Sequence, residues 1–236
     1  MQVGQVIDET FRLVGRFGLR WLVLALLPVA AAELVNYAIE DSTVLSVIVG
    51  EGDDRTRVSA LPLLVLIVYF AATTLVQIAV TQDVARGAAA SPGATLAAAW
   101  SRLWRALPAG LLVGVIVTIG IVLLVVPGLV ALTRLAVTVP AAVTEDVGIR
   151  GALKRSNELV RGFGWSVFGT IVVLAVLSIA TNLVLVGLPS RAIDSRAVEL
   201  TLAVIVQAGL LALTSAAAAV MHRTLVAAPR PLYPGG

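Results

Sequence analysis

The chain has 236 residues, 59% hydrophobic and 13% charged, with a mean hydropathy of +1.00 and no cysteine. Soluble domains carry about 25% charged residues, so this is a membrane composition, and the absence of Cys removes disulfides, thiolate nucleophiles and Cys-based metal sites. One His cannot build a His-rich metal site, and the 17 Lys and Arg flank apolar runs, which directs them to anionic lipid headgroups and away from nucleic acid.

Apolar runs long enough to cross about 30 Å of hydrocarbon at about 1.5 Å per residue are read at 19–39, 60–82, 107–126, 128–144, 165–187 and 197–221. The expected fold is all-α: one polytopic membrane domain over 1–236 with six transmembrane helices. Ahead of the first run, "VGQVIDETFRLVGRFG" places Val3, Ile7, Phe11, Val14 and Phe17 on one helical stripe. Within the run, "LVLALLPVAAAE" has the form of a signal-peptide core with a small-residue cleavage site before Glu33. The long preceding segment, with Asp8 and Glu9 and a periodicity of its own, argues for retention as a span. Between the second and third runs, "GATLAAAWSRLWRAL" repeats the stripe with Leu96, Trp100, Leu103 and Leu107. Between the fourth and fifth, "TEDVGIRGALKRSNELVRGFGWSVFG" repeats it with Leu153, Leu159, Val160 and Phe163, interrupted by Asn157.

The chain therefore reads as three units, about 1–83, 84–145 and 146–223, each an amphipathic helix followed by a transmembrane hairpin, with a short disordered tail over 224–236. Helices with Arg on one face and aromatics on the other settle in the interface plane. The expected lipid-facing interfacial residues are Arg12, Arg16, Arg102, Arg105, Lys154, Arg155, Arg161 and Trp165; the competing reading of the third segment is an ordinary basic loop. Twelve Lys and Arg outside the spans fall on the side of the termini and four on the other. The positive-inside rule then places both termini in the cytoplasm, as for a multi-pass protein of a prokaryotic inner membrane.

Polar groups within spans are costly and invite a functional reading. Counted from the expected outer ends, Glu33, Arg134 and Asn182 lie five or six residues in, a common depth of about 8–9 Å, with Asn36 one turn from Glu33. This layer is expected to hold a Glu33–Arg134 pair, either as a structural lock or as a pocket for a small solute or lipid headgroup. Gln77 and Gln207 are read as interhelical hydrogen-bonding groups, and Gly110 and Gly114 as a close-packing face. Ser215 and His222, about 10.5 Å apart along one helix, cannot form a nucleophile–base pair. "GEGD" at 50–53 lies in an aqueous loop, and no nucleotide fingerprint occurs. No enzyme, cofactor or metal site is expected.

The opening "VGQVIDETFRLVGRFG", the turn at Pro127 and Gly128, and a pattern carried by Glu145, Gly148, Ala152, Leu153, Arg155, Ser156, Glu158, Leu159, Gly162, Trp165 and Phe168 resemble the glycerophosphoryl diester phosphodiesterase membrane-domain family and related six-span membrane proteins. In that family catalysis belongs to a separate soluble barrel of about 250 residues, so the resemblance implies a membrane module without that activity. The leading expectation is a non-enzymatic scaffold or envelope-maintenance and assembly factor; the alternative is a small transporter or a lipid- or solute-binding protein. Protein partners or a homo-oligomer are left open by the residues.

The charge asymmetry makes a direct prediction. A reporter fused after Gly236 is expected in the cytoplasm, and a label within Glu51–Arg57 is expected to react with a membrane-impermeant reagent in intact cells; protection of that label would reverse the orientation.

Overall fold

The structure, a computed structural model, describes residues 2–40, 46–49, 56–59, 61–145, 147–187, 189 and 195–228, with side chains left aside at 36–64 and 196. Among these, six helical stretches are long and apolar enough to cross a membrane: Val3–Val35, Val65–Arg86, Pro92–Leu123, Val125–Thr144, Gly164–Gly187 and Ala197–Ala227. The all-α polytopic fold and its six candidate spans are as the hydropathy indicates. The helices are α1 (Val3–Glu40), α2 (Leu61–Arg86), α3 (Pro92–Leu123), α4 (Val125–Leu135), α5 (Thr138–Thr144), α6 (Ile149–Val160), α7 (Gly164–Asn182), prolonged by a π-helical turn Leu183–Gly187, and α8 (Arg196–Ala227). A two-stranded antiparallel ribbon, β1 (Ser46–Val49) paired with β2 (Thr56–Ser59), lies between α1 and α2 where a plain loop was expected. Helix α8 runs through Ala227, so the segment read as a tail from 224 begins in helix.

Local chemistry explains where helices start and stop. Ser91 caps α3 by accepting from the Ala94 N–H at 3.3 Å, with Pro92 at a position whose missing N–H costs nothing. Gly87, at φ 68°, ends α2, and the Ala88 N–H returns to the Asp83 carbonyl at 3.0 Å, the bond of a Schellman turn. The fourth span is broken between α4 and α5 because Pro140 offers no N–H to the Ala136 carbonyl and its ring crowds that group. Gly162, at φ 90°, turns the chain between α6 and α7.

Three amphipathic segments exist, but only the third is a separate helix. The first is the N-terminal part of the 38-residue α1 and the second the N-terminal part of α3. The buried face follows the expected stripe only in part: Leu103, Leu159 and Val160 are buried, whereas Phe11 and Trp100 are exposed. Val6, Thr10 and Trp21 are buried in α1, whereas Phe11 is exposed. In α3 the buried face is Thr95, Ala99, Leu103 and Ala106, and Trp100 and Trp104 point outward. In α6 it is Ala152, Ser156, Leu159 and Val160, which leaves Asn157 on the exposed face and removes the apparent interruption. Helices in lipid gain no hydrophobic benefit from burying large apolar groups against each other, so small residues such as Thr10, Ala99, Ala152 and Ser156 can take helix contacts while Phe11, Trp100 and Trp104 face outward, although Trp21 and Leu103 are buried among them.

α1 packs antiparallel along α8, and α2 closes the trio through Trp21, Leu24, Val76, Val80, Ala212 and Ala216. α2, α3 and α5 meet through Ile78, Ala79, Ala99, Leu103 and Val143. A third cluster joins Val6 of α1 to Val137, Leu159, Val160, Val167 and Val220, so the start of α1 crosses the ends of α6, α7 and α8. Gly110 and Gly114 form the close-packing face expected of them, because a Cβ on either would stand 3.3 Å from the Phe70 ring. The Gln207 Nε2 donates to the Tyr69 hydroxyl at 2.8 Å, tying α8 to α2.

The tightest contact is the α3–α4 hairpin, where Gly120 and Gly128 meet across the extended Leu124. A Cβ on Gly128 would lie 2.4 Å from Ile121 Cγ1 and 2.5 Å from its backbone nitrogen. Gly128→Ala is therefore expected to destabilise the protein by about 1–3 kcal/mol, whereas Gly93→Ala, which meets nothing within 4 Å, stays neutral or slightly stabilising; unfolding in detergent micelles measures both.

Candidate functional site

The end of the bundle that carries the start of α1, the ends of α2, α5 and α8, and helix α6 holds buried charge. Asp83, 4% exposed, accepts from Arg20 Nε at 2.6 Å and from Arg20 Nη2 at 3.0 Å. Thr95 Oγ1 lies 3.1 Å from the same Nη2 and 3.3 Å from Asp83 Oδ1. This network joins α1, α2 and α3. Glu145 does the same for α5, α6 and α8: its Oε2 accepts from Arg155 Nε at 2.7 Å, and its Oε1 stands 3.1 Å from Nε2 of the buried His222. Arg223 pairs with Glu9 across α8 and α1.

Against this, the expected Glu33–Arg134 layer is corrected. No such ion pair is present among the described residues. Glu33 is half-buried on α1 within electrostatic reach of the Tyr69 hydroxyl. Asn182 is exposed and its amide donates to the Ser178 carbonyl at 3.0 Å. The side chain of Asn36 lies outside the described residues. Matched depth failed because the fourth span begins at Val125 and is broken after Leu135, so a count from 128 along one straight helix misplaces Arg134. The residue instead sits beside α6, whose Ser156 Oγ donates to the Arg134 carbonyl at 2.9 Å.

Several cations read as lipid-facing are engaged within the protein. Arg155 is held by Glu145, and Arg102 Nη1 donates to the Val143 carbonyl at 3.0 Å. Arg12 pairs with Asp8, Lys154 lies 3.9 Å from Glu158, and Arg16 stacks 5.1 Å above the Phe17 ring. Arg105 also has an interaction partner.

Arg134 and Arg161 differ from these. Both are exposed, and neither has a carboxylate partner among the described residues. Together with Asn157, Val160, Gly162 and Gly164 they line a polar recess of about 450 Å³. The recess shares Arg134, Gly162 and Gly164 with an apolar groove of about 610 Å³ between α4 and α7, walled by Val126, Leu129, Val130, Phe163, Trp165 and Phe168. That volume is typical of ligand sites. Neither lining contains an Asp, Glu or His. Trp165, 87% exposed, stands at the mouth with its ring edge-on to Phe168 at 6.1 Å. The first turn of α7 has no side-chain cap, and no side chain fills the space beside Gly164. A second cleft of about 310 Å³, between α2, α3 and the α4–α5 break, has no charged lining.

Of the residues singled out in the sequence, then, the fold gathers Arg134, Asn157, Arg161 and Trp165 in one place. Asp83 is not among them, and Glu145 is singled out only within the family pattern. A legible signal for them is "VTQDV" at 80–84 beside "VTEDV" at 143–147, two acidic repeats closing the second and fourth spans.

A double-mutant cycle on Glu33→Leu and Arg134→Leu is expected to be additive within about 0.5 kcal/mol. Coupling of more than about 2 kcal/mol would restore the discarded pair. Comparison of the chain with known protein families, with curated proteins and with solved structures gives no match.

Proposed function

We propose that this multi-pass membrane protein binds an anionic lipid of its membrane, with the headgroup at Arg134 and Arg161 and an apolar chain along the groove between α4 and α7. The observation that carries the reading is Arg134: a permanent cation inside a membrane-spanning stretch, exposed, and with no carboxylate partner among the described residues. A guanidinium so placed is costly in hydrocarbon without a counter-charge, and a lipid phosphate is an anion of suitable shape for its planar fork. The adjoining apolar wall, and a tryptophan of the kind that settles at headgroup level, fit an amphiphile better than a soluble anion.

The reading places the site at the end of the bundle that charge asymmetry assigns to the cytoplasm, the opposite end from the polar layer expected on the first span. It is non-enzymatic: no nucleophile with an adjacent base enters the groove lining. It favours lipid binding over pure scaffolding, and an assembly role would follow only through the bound lipid. The resemblance to the phosphodiesterase membrane-domain family, carried by Glu145, Arg155, Gly162 and Trp165, is compatible with it, since these residues build or adjoin the same face.

Native mass spectrometry of the protein extracted from mixed phosphatidylglycerol and phosphatidylcholine tests the proposal. Retention of the anionic lipid is expected in the wild type and in Arg12→Gln, with a loss of about tenfold or more, near 1.4 kcal/mol, in Arg134→Gln. Equal retention by Arg134→Gln would overturn it.

A further inference from the structure

The recess at the polar end of the groove has a particular charge count. It is lined by two arginines, Arg134 from α4 and Arg161 from the α6–α7 turn, and by Asn157, with no acidic side chain and no histidine in the lining. The nearest acid along α6, Glu158, lies 3.9 Å from Lys154. Gly162 and Gly164 leave the backbone of the turn bare, with nothing within 4 Å of a Cβ position on Gly164. The α7 N-terminus, positive by its own dipole, is uncapped on the same side.

A phosphodiester headgroup such as phosphatidylglycerol brings one negative charge and two free oxygens. It would leave one of the two guanidinium groups without compensation. A terminal phosphomonoester brings about −1.5 to −2 charge at pH 7 and three acceptor oxygens, which matches two guanidinium forks and a neutral donor. We propose that the site selects a lipid whose headgroup is a terminal phosphate, a phosphomonoester such as phosphatidic acid, over phosphodiester lipids of equal chain length. This rests on the lipid-binding reading above and adds the class of headgroup. Because the arginines do not titrate and the lining holds no other ionisable group, the selectivity depends on pH only through the lipid. It is present above the second ionisation of the phosphate, near pH 6, and is lost as pH falls below it.

The test is competition in nanodiscs of phosphatidylcholine doped with phosphatidic acid or phosphatidylglycerol of identical acyl chains, read by native mass spectrometry at pH 8 and pH 5.5, with inorganic phosphate as a soluble competitor. Phosphatidic acid is expected to bind about tenfold tighter than phosphatidylglycerol at pH 8, with the preference collapsing at pH 5.5. Arg161→Gln, at an exposed turn position outside the packed core, and Arg134→Lys, which keeps the charge but loses the bidentate fork, are each expected to reduce it at pH 8. Equal binding of the two anionic lipids, both above phosphatidylcholine and both weakened by Arg161→Gln, would overturn the headgroup assignment and leave the lipid-binding reading standing. No preference for either over phosphatidylcholine would sink both. Displacement of the lipid by millimolar inorganic phosphate would also overturn the assignment, by making the site one for a soluble anion.

Discussion

A charge within a transmembrane bundle must find its counter-charge inside the protein, in water or in the lipid, and the arrangement of this protein follows from how each case is met. Asp83 is met inside: Arg20 and Thr95 surround it, and by doing so fix the end of α2 against α1 and the start of α3. Glu145 is met inside by Arg155 and faces His222, which brings α6 back under α5 and beside α8. Removing Arg20 would strand the buried Asp83 carboxylate, and breaking a buried pair in this way typically costs about 3–5 kcal/mol; the Glu145–Arg155 pair is only partly buried and is worth less. The two networks therefore act as fasteners at one end of a bundle whose other contacts are mostly apolar, and they hold α6 where Ser156 can reach Arg134.

Hydropathy was sufficient for the spans because transfer energy depends on composition over about 20 residues and little on packing. It was insufficient for faces. The apolar stripes containing Phe11 and Trp100 suggested which side of the first two amphipathic segments would be covered, yet those two residues are exposed and Thr10 and Ala99 are buried. The reason is the solvent: lipid accepts large apolar side chains, so Phe11 and Trp100 can stay outside while a small residue or a hydroxyl that closes its own bond, as Thr10 does on the Val6 carbonyl at 2.7 Å, takes the helix contact. Periodicity thus located the amphipathic segments and part of their buried faces, Leu103, Leu159 and Val160 among them, and misassigned Phe11 and Trp100.

The candidate site was legible in its parts and not in its assembly. Arg134 stood out as a cation within a span, and Arg161 and Trp165 as interfacial residues, but counting depth along straight helices paired Arg134 with Glu33. The break enforced by Pro140 and the turn at Gly162 are backbone events, and they bring α4 to the α6–α7 turn. No count of residues along a straight helix contains that juxtaposition. The acidic repeats at 80–84 and 143–147 were readable but carry no periodicity signal, and their roles depend on arginines 63 and 10 residues away.

On this account the acids at the polar end are satisfied by the protein, whereas Arg134 and Arg161 are completed by the membrane. An experimental structure of the protein in a lipid bilayer containing phosphatidic acid addresses that claim most directly. The account predicts phosphate density in the recess with oxygens within about 3 Å of both guanidinium groups and chain density continuing between α4 and α7 toward Leu129. A closed groove, with Arg134 bonded to a carboxylate of its own chain, would contradict it.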